Sequence, residues 1–204
     1  SLAASRYKKA FNRHTTKYAE YVAALVKGDP TVKVNAAAVY PYDVLKGFGS
    51  YGWNKGFNAT ELDHLTAQWN SLPNYIGDSK VLPLVDVSGS MMCSAGQNGS
   101  VTCLDVAVSL GLYCADKNTG AFKDMFLTFS SEPELLLLKG DIVKKVDQMV
   151  KSNWAMSTNL HKALDLVLKT AVAGSVSQED MPDMILVMSD MPFTQCTSFD
   201  DSAS

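Results

Sequence analysis

One apolar segment restricts the fold of this chain more than any other feature. Residues Val81–Val87 read VLPLVDV and are interrupted only by Asp86, after which small residues continue from Ser88 to about Thr102. An apolar run of this kind is typical of a central parallel strand that is covered on both faces. The segment therefore predicts a parallel sheet with helices above and below it.

The residues after this strand alternate between helical and extended patterns. Two strand segments are joined by a short turn at 131–133, which predicts a hairpin and hence one antiparallel edge strand. Within the helix predicted at Leu104–Lys117, we expect Val106, Leu110, Tyr113 and Cys114 to face inward. The expected fold class is α/β, with a doubly wound and mainly parallel sheet over residues 79–204. The predicted elements are helices Leu104–Lys117, Asp141–Val150 and Leu160–Ala173, and strands Met125–Phe129, Leu135–Leu138 and Met184–Met188. The last of these strands is expected to be buried.

Residues 1–78 predict a helical extension. Apolar residues recur at steps of three and four over 6–27, which indicates an amphipathic helix that Gly28-Asp29-Pro30 ends. A short helix is expected around 43–46. Another helix should start near Asn58, which has capping-box spacing with Glu61. The extension has too little apolar surface to fold alone, so we expect it to pack on the domain that follows.

Composition excludes few classes of protein. The formal charge of −3 and the pI near 5.6 argue against a strongly basic nucleic-acid binder. No apolar run is long enough to span a membrane, and the N-terminal residues turn polar too soon for a signal peptide. The absence of an initial Met predicts a processed or partial chain.

The four cysteines show neither a CxxC pair nor zinc-finger spacing. We therefore expect reduced thiols and a cytoplasmic location. Cys93 and Cys103 bracket a loop rich in Gly and Ser, and pairing of these two under oxidising conditions stays open.

Oxygen-bearing side chains concentrate where the predicted strands end, which is where ligands bind in sheets of this class. Asp86, Ser88 and Ser90 leave the first strand, Asp190 closes the last, and Thr158 precedes a helix. Two carboxylates and three hydroxyls suit Mg²⁺, which prefers oxygen ligands and keeps some of its waters. For Thr158 the alternative is plain helix capping.

The motifs then show a resemblance. Val81–Met91, VLPLVDVSGSM, resembles the first strand and metal-ion-dependent adhesion site (MIDAS) loop of von Willebrand A domains. Asn153–Leu168 (NWAMSTNLHKALDLVL) and Met184–Phe193 (MILVMSDMPF) resemble a subgroup found in plants, bacteria and viruses. That subgroup is related to the A domain of the Ro (TROVE) RNA-binding autoantigens. Val34–Leu45, which ends in YPYDVL, and the N-terminal helix also fit it, so a viral or phage protein is one expectation.

The resemblance implies roles for five residues and one cofactor. Asp86, Ser88 and Ser90 would ligate the metal from the first loop, Thr158 from the second, and Asp190 from the third, often through water. The implied cofactor is Mg²⁺, with Mn²⁺ or Ca²⁺ as substitutes. Members of the family continue past the SDM motif with further strands, whereas this chain ends at Ser204. The resemblance therefore predicts missing C-terminal strands, or a second polypeptide that completes the sheet.

Three function classes compete. A phosphatase of the haloacid dehalogenase type needs a second Asp where Ser88 stands, a nucleophile elbow needs GxSxG, and His14, His64 and His161 suggest no triad. We therefore expect no enzymatic activity.

The second class is an RNA- or single-stranded-DNA-binding adapter of Ro type, for which the candidate residues are Lys8, Lys9, Arg13 and Lys17 on the first helix. No aromatic stacking motif accompanies these cations. The preferred class is a binding module that uses the metal to dock an acidic residue of a protein partner.

Overall fold

Four strands pair into one mixed sheet, in the order β3-β2-β1-β4. Strand β1 lies between β2 and β4 and runs parallel to both, whereas β3 pairs with β2 in the antiparallel direction. The register aligns Val81 with Met184 and Val85 with Met188, so β1 and β4 end at the same edge of the sheet. The strands are β1 (Val81–Val85), β2 (Met125–Thr128), β3 (Leu135–Leu137) and β4 (Met184–Met188).

The computed structural model describes residues 15–32, 39–45, 59–96, 101–130, 132–152 and 160–190. The chain forms two compact units, one of residues 1–75 with 141–143 and one of residues 76–140 with 144–204. The helices are α1 (Thr15–Val26), α2 (Pro41–Leu45), α3 (Ala59–Asn70), α4 (Cys103–Lys117), α5 (Ile142–Val150) and α6 (Leu160–Ala173). Short 3₁₀ helices occupy Gly89–Met92, Gly120–Phe122 and Gln178–Asp180.

Helices cover both faces of β1. Leu82 and Leu84 are fully buried in a cluster that includes Ala163 and Val167 of α6. The next residue, Val85, contacts α4 instead, because a Cβ placed on Gly111 of that helix would meet Val85 Cγ2 at 2.5 Å. Successive side chains of a strand point to opposite faces, so α4 and α6 lie on opposite sides of the sheet.

Helix α4 starts at a capping box formed by Thr102 and Asp105. The Thr102 side chain accepts a hydrogen bond from the Asp105 N–H at 3.0 Å, and the Asp105 carboxylate accepts one from the Thr102 N–H at 2.8 Å. This reciprocal pair satisfies two donors that the first turn of a helix otherwise leaves unpaired. It fixes the first turn of α4 just after the loop that follows β1.

The N-terminal unit contains α1, α2 and α3. Its buried apolar residues include Val22 of α1, Trp69 near the end of α3 and Leu72 just after that helix. His64 of α3 is also buried, lies 2.7 Å from the Gln68 amide and packs beside the Tyr18 ring. Burial lowers the pKa of His64 to about 4, because a low-dielectric environment disfavours the charged imidazolium. None of the described helices is long and apolar enough to cross a membrane.

The sequence-based expectations for the sheet are largely confirmed. The α/β class, the mainly parallel sheet and the β2–β3 hairpin are all present. The start of α3 agrees with the prediction, whereas Asn58 and the Glu61 side chain of the expected capping box lie outside the described residues. The short helix expected at 43–46 is α2, Pro41–Leu45. For the helix expected at 6–27, the described part begins at Thr15.

Two expectations of burial were wrong. Leu110 was expected to face inward but is 36% exposed. Helix α4 approaches the sheet through small residues such as Gly111 and Ala107, and this orientation turns Leu110 outward. Strand β4 was expected to be buried, yet Met184 is 55% exposed, because β4 is the outermost strand on its side of the described sheet.

Candidate metal centre

Asp86 is the buried carboxylate at the end of β1, with only 1% of the residue exposed. Its backbone N–H donates to the Met188 carbonyl at 2.9 Å, which continues the pairing of β1 with β4. One carboxylate oxygen accepts the Ser88 N–H at 2.9 Å, and the other accepts the Ser189 hydroxyl at 2.7 Å. Bonds to both oxygens hold the carboxylate in one orientation.

Ser88 and Ser90 present two adjacent hydroxyls. Ser88 occupies the N-cap position of the 3₁₀ helix Gly89–Met92, where a serine side chain commonly caps the helix. Within the described part of the chain its side chain makes no capping bond; its hydroxyl oxygen instead lies 2.9 Å from that of Ser90. The loop after β1 therefore turns both hydroxyls toward the same point.

Asp190 brings the second carboxylate to this point from a distant part of the sequence. The Ser90 hydroxyl donates to Asp190 Oδ1 at 3.1 Å, across a separation of 100 residues. The parallel pairing of β1 with β4 causes this meeting, because Val85 and Met188 are partners and the residues that follow them leave the same edge. Unlike Asp86, Asp190 is exposed.

The spacing of these oxygens fits a small octahedral cation. Neighbouring ligands of Mg²⁺ at 2.0–2.1 Å from the ion are separated by roughly 2.8–3.0 Å. The Ser88–Ser90 and Ser90–Asp190 separations are 2.9 and 3.1 Å. Among the described residues no group of three or more His, Cys, Asp or Glu is placed to hold a metal. The donors at this edge are instead two carboxylates and serine hydroxyls, which are the oxygen ligands that a hard cation takes.

The structure brings together four of the five predicted ligands, and Thr158 lies outside the described residues. Sequence reasoning assigned no role to Ser189, whose hydroxyl fixes the Asp86 carboxylate. The position of Ser189 in the sequence, between the last residue of β4 and Asp190, could have indicated this role.

The other candidate residues lie elsewhere. Lys17 is exposed on α1, whereas Lys8, Lys9, Arg13 and His14 fall outside the described residues. His64 is buried in the N-terminal unit, and His161 is exposed near the start of α6. Among the described residues, no histidine is placed in the cluster of Asp86, Ser88, Ser90 and Asp190.

The first residue of α4 also lies close to this cluster. Cys103 has a raised pKa, chiefly because of its hydrogen bond with Cys93, then because of burial and the nearby charges of Cys93 and Asp190. The Cys103 sulfur lies 3.3 Å from that of Cys93, so the start of α4 lies beside the segment that follows Ser90. The edge of the sheet is thus bordered by the β1 loop, the end of β4 and the start of α4.

Comparison with known proteins places residues 80–203 in a family model described as a domain of unknown function, DUF7788. The chain is also similar to "Uncharacterized protein L728" of Acanthamoeba polyphaga mimivirus, with 31% identity over 216 residues. That alignment includes 96% of this chain but 35% of the viral protein, so the chain spans about a third of its relative. No solved structure matches the chain.

Proposed function

The chain belongs to the DUF7788 family, and we propose that it binds one divalent cation, preferably Mg²⁺, to dock an acidic side chain of a partner protein. The proposed ligands are Asp86, Ser88, Ser90 and Asp190, with Thr158 as the fifth. The observation that carries the proposal is the contact between the Ser90 hydroxyl and Asp190. This contact joins the segment after β1 to the end of β4, through two side chains that are both proposed ligands of the cation.

The resemblance of the sequence to von Willebrand A domains supports the same proposal. We also propose that the fold is a doubly wound sheet of the von Willebrand A type. The mainly parallel sheet is compatible with that fold. The DxSxS pattern of that family corresponds to Asp86, Ser88 and Ser90, and the Ser88 and Ser90 hydroxyls lie next to each other. Serine and threonine are neutral ligands, so two carboxylates balance the charge of a divalent cation without exceeding it, and an open coordination position could take a further carboxylate.

The residues at this edge of the sheet would have different roles in such a metal site. Asp86 is fixed by the Ser88 N–H and by Ser189, which acts as a positioning residue. Asp190 is exposed and lies where a partner can approach. Bound Mg²⁺ would supply an open coordination position for a partner carboxylate. Without a cation, two carboxylates at this edge repel an acidic side chain, so docking should depend on the metal.

Thermal unfolding tests the metal site. The parent is compared with Asp86→Ala and Asp190→Asn in EDTA and then in Mg²⁺, Mn²⁺ or Ca²⁺. A cation at ten times its Kd stabilises the native state by about 1.4 kcal/mol, which corresponds to a rise in Tm of roughly 3–6 °C. We expect this rise in the parent and in neither variant.

A matched control removes a carboxylate outside the proposed ligand set. Among the described residues, Asp147→Asn on α5 disrupts an exposed pair with Lys151, so its Tm should rise with the metal as the parent's does. If Asp190→Asn gains as much stability from Mg²⁺ as Asp147→Asn, the ligand assignment is wrong. If the parent gains none, the metal proposal is wrong, and loss of nucleic-acid binding with increasing salt becomes the next measurement.

The docking step has its own measurement. The electron paramagnetic resonance spectrum of Mn²⁺ bound to the protein is recorded with an Asp-containing peptide and with the same peptide carrying Asn. We expect only the Asp peptide to change the spectrum, because a carboxylate replaces a water on the ion. Equal spectra with both peptides would contradict docking of an acidic residue while leaving the metal site intact.

A further inference from the structure

A pair of cysteines borders the candidate metal centre. Cys93 follows the 3₁₀ helix that carries Ser90, and Cys103 is the first residue of α4. Their sulfur atoms lie 3.3 Å apart, although the two residues are ten positions apart in the sequence. Both thiols are free in the structure.

The backbone around the two cysteines holds them opposite each other. The Cys103 N–H donates to the Cys93 carbonyl at 2.9 Å, and the Ala95 N–H donates to the Val101 carbonyl at 2.9 Å. Ser94 and Thr102 form an antiparallel bridge between these two bonds. This short ladder brings the ends of the loop together without any covalent link and holds the two cysteines opposite each other.

The surroundings of the pair differ from those of the third described cysteine. Cys93 is exposed and Cys103 is half-buried, whereas Cys114, on the same helix as Cys103, is buried. A soluble oxidant therefore reaches the first pair and not Cys114. Disulfide sulfurs lie about 2.05 Å apart, so the two sulfurs must approach by little more than 1 Å.

We propose that Cys93 and Cys103 are a modification site, at which a peroxide converts the two thiols into a disulfide that closes the loop beside the metal centre. The exposed Cys93 sulfur attacks one oxygen of hydrogen peroxide, the O–O bond breaks, and a sulfenic acid and one water form. The Cys103 sulfur then attacks Cys93 Sγ and displaces the hydroxyl as a second water. In sum, two thiols and one H₂O₂ give one disulfide and two waters, and a thiol reductant reverses the change.

The disulfide would tie the segment that follows Ser90 to the first turn of α4. Closing a loop of about ten residues constrains the unfolded chain, which raises Tm by roughly 5–10 °C for a protein of this size. The proposal concerns the chain itself and does not depend on the proposed metal function. It takes up the alternative that the sequence left open, in which Cys93 and Cys103 pair under oxidising conditions.

Peptide mapping gives a direct test on the full chain. The reduced protein, freed of reductant, is treated with a slight excess of hydrogen peroxide. It is then denatured in the presence of N-ethylmaleimide, which labels the remaining free thiols, and digested with trypsin. No Lys or Arg occurs between Lys80 and Lys117, so one peptide, 81–117, contains Cys93, Cys103 and Cys114. We expect this peptide to carry three labels before peroxide and one label, on Cys114, after it. The number of labels is the readout, because oxidation of Met91 and Met92 also changes the mass.

Variants separate this pair from other products. Cys114→Ser should lose all label from the peptide after peroxide, whereas Cys93→Ser and Cys103→Ser should each form no intrapeptide bridge. Only the parent and Cys114→Ser should show the peroxide-dependent rise in Tm. A peptide that keeps its label on Cys103 while Cys93 becomes a sulfinic or sulfonic acid would overturn the proposal. A bridge that involves Cys114 or Cys196 instead would also overturn it.

Discussion

Strands β1 and β4 lie side by side in register, and each is followed by a carboxylate of the candidate site, yet their surroundings differ. All five residues of β1 are buried, whereas β4 is exposed at Met184 and half-buried along the rest of its length. The carboxylates follow the same division, since Asp86 is buried and Asp190 is exposed. The comparison teaches that one side of the candidate site is held in place by the core, whereas the other side is exposed to solvent.

The cause lies in the number of neighbours of each strand. Strand β1 is paired on both edges and covered on both faces, whereas β4 is paired with β1 alone among the described strands. A residue at the end of β1 is therefore fixed by packing from four directions. A residue at the end of β4 is fixed chiefly by its hydrogen bonds to β1. The predictions below test this division, starting with the largest expected effect.

The largest difference is expected between two truncations of neighbouring strands. Leu84→Ala should lower the free energy of unfolding by about 2–5 kcal/mol, because it leaves a cavity in a fully buried cluster. Met184→Ala should cost less than about 1 kcal/mol, because this side chain is largely in water already. Urea unfolding followed by far-UV circular dichroism measures both. Similar losses for the two variants would show that β4 is as tightly packed as β1.

The second prediction concerns the close approach of α4 to β1. Gly111→Ala should destabilise the protein by about 1–3 kcal/mol, because the new methyl group would lie 2.5 Å from Val85 Cγ2 and 3.0 Å from Met149 Cε. Gly96→Ala is the matched control, since nothing lies within 4 Å of its added Cβ.

A double variant identifies the contact responsible. Val85→Ala removes the methyl group that Gly111→Ala would meet, so the cost of Gly111→Ala should be smaller in the Val85→Ala background. The same urea measurement applies. Additive losses in the double variant would indicate that α4 adjusts its position and that the β1 side of the site is less rigid than we infer.

Much of the fold was predictable because its signals are local in sequence. The apolar run Val81–Val87 predicted a central strand, and the turn at 131–133 predicted the hairpin. The placement of Asp86 and Asp190 at one edge of the sheet was predictable in the same way, since each follows an apolar strand and parallel strands end at a common edge. These inferences need only strand direction and periodicity.

The remainder depends on contacts that no local pattern specifies. The outward position of Leu110 follows from the approach of α4 through Gly111, which is a property of helix and sheet together. The exposure of β4 depends on the order of the strands, because the same apolar sequence pattern is compatible with a central strand and with an edge strand. The role of Ser189 follows from its distance to Asp86, which lies 103 residues earlier.

The smallest predicted effect compares the two carboxylates directly, in EDTA. Asp86→Asn should lower the free energy of unfolding by about 1 kcal/mol, because a charged acceptor of two hydrogen bonds becomes a neutral one. The loss stays near this value because the Asn oxygen still accepts the Ser88 N–H, and the Ser189 hydroxyl is able to turn and accept from the Asn amide. Asp190→Asn should change stability by less than about 0.5 kcal/mol, since this carboxylate is exposed.

Both variants should nevertheless lose the response to Mg²⁺, because the buried and the exposed carboxylates are both proposed ligands. Unequal stability with equal loss of the metal response would separate the structural contribution of Asp86 from its binding role. Equal stability would instead place the two carboxylates in similar surroundings, against the division between β1 and β4.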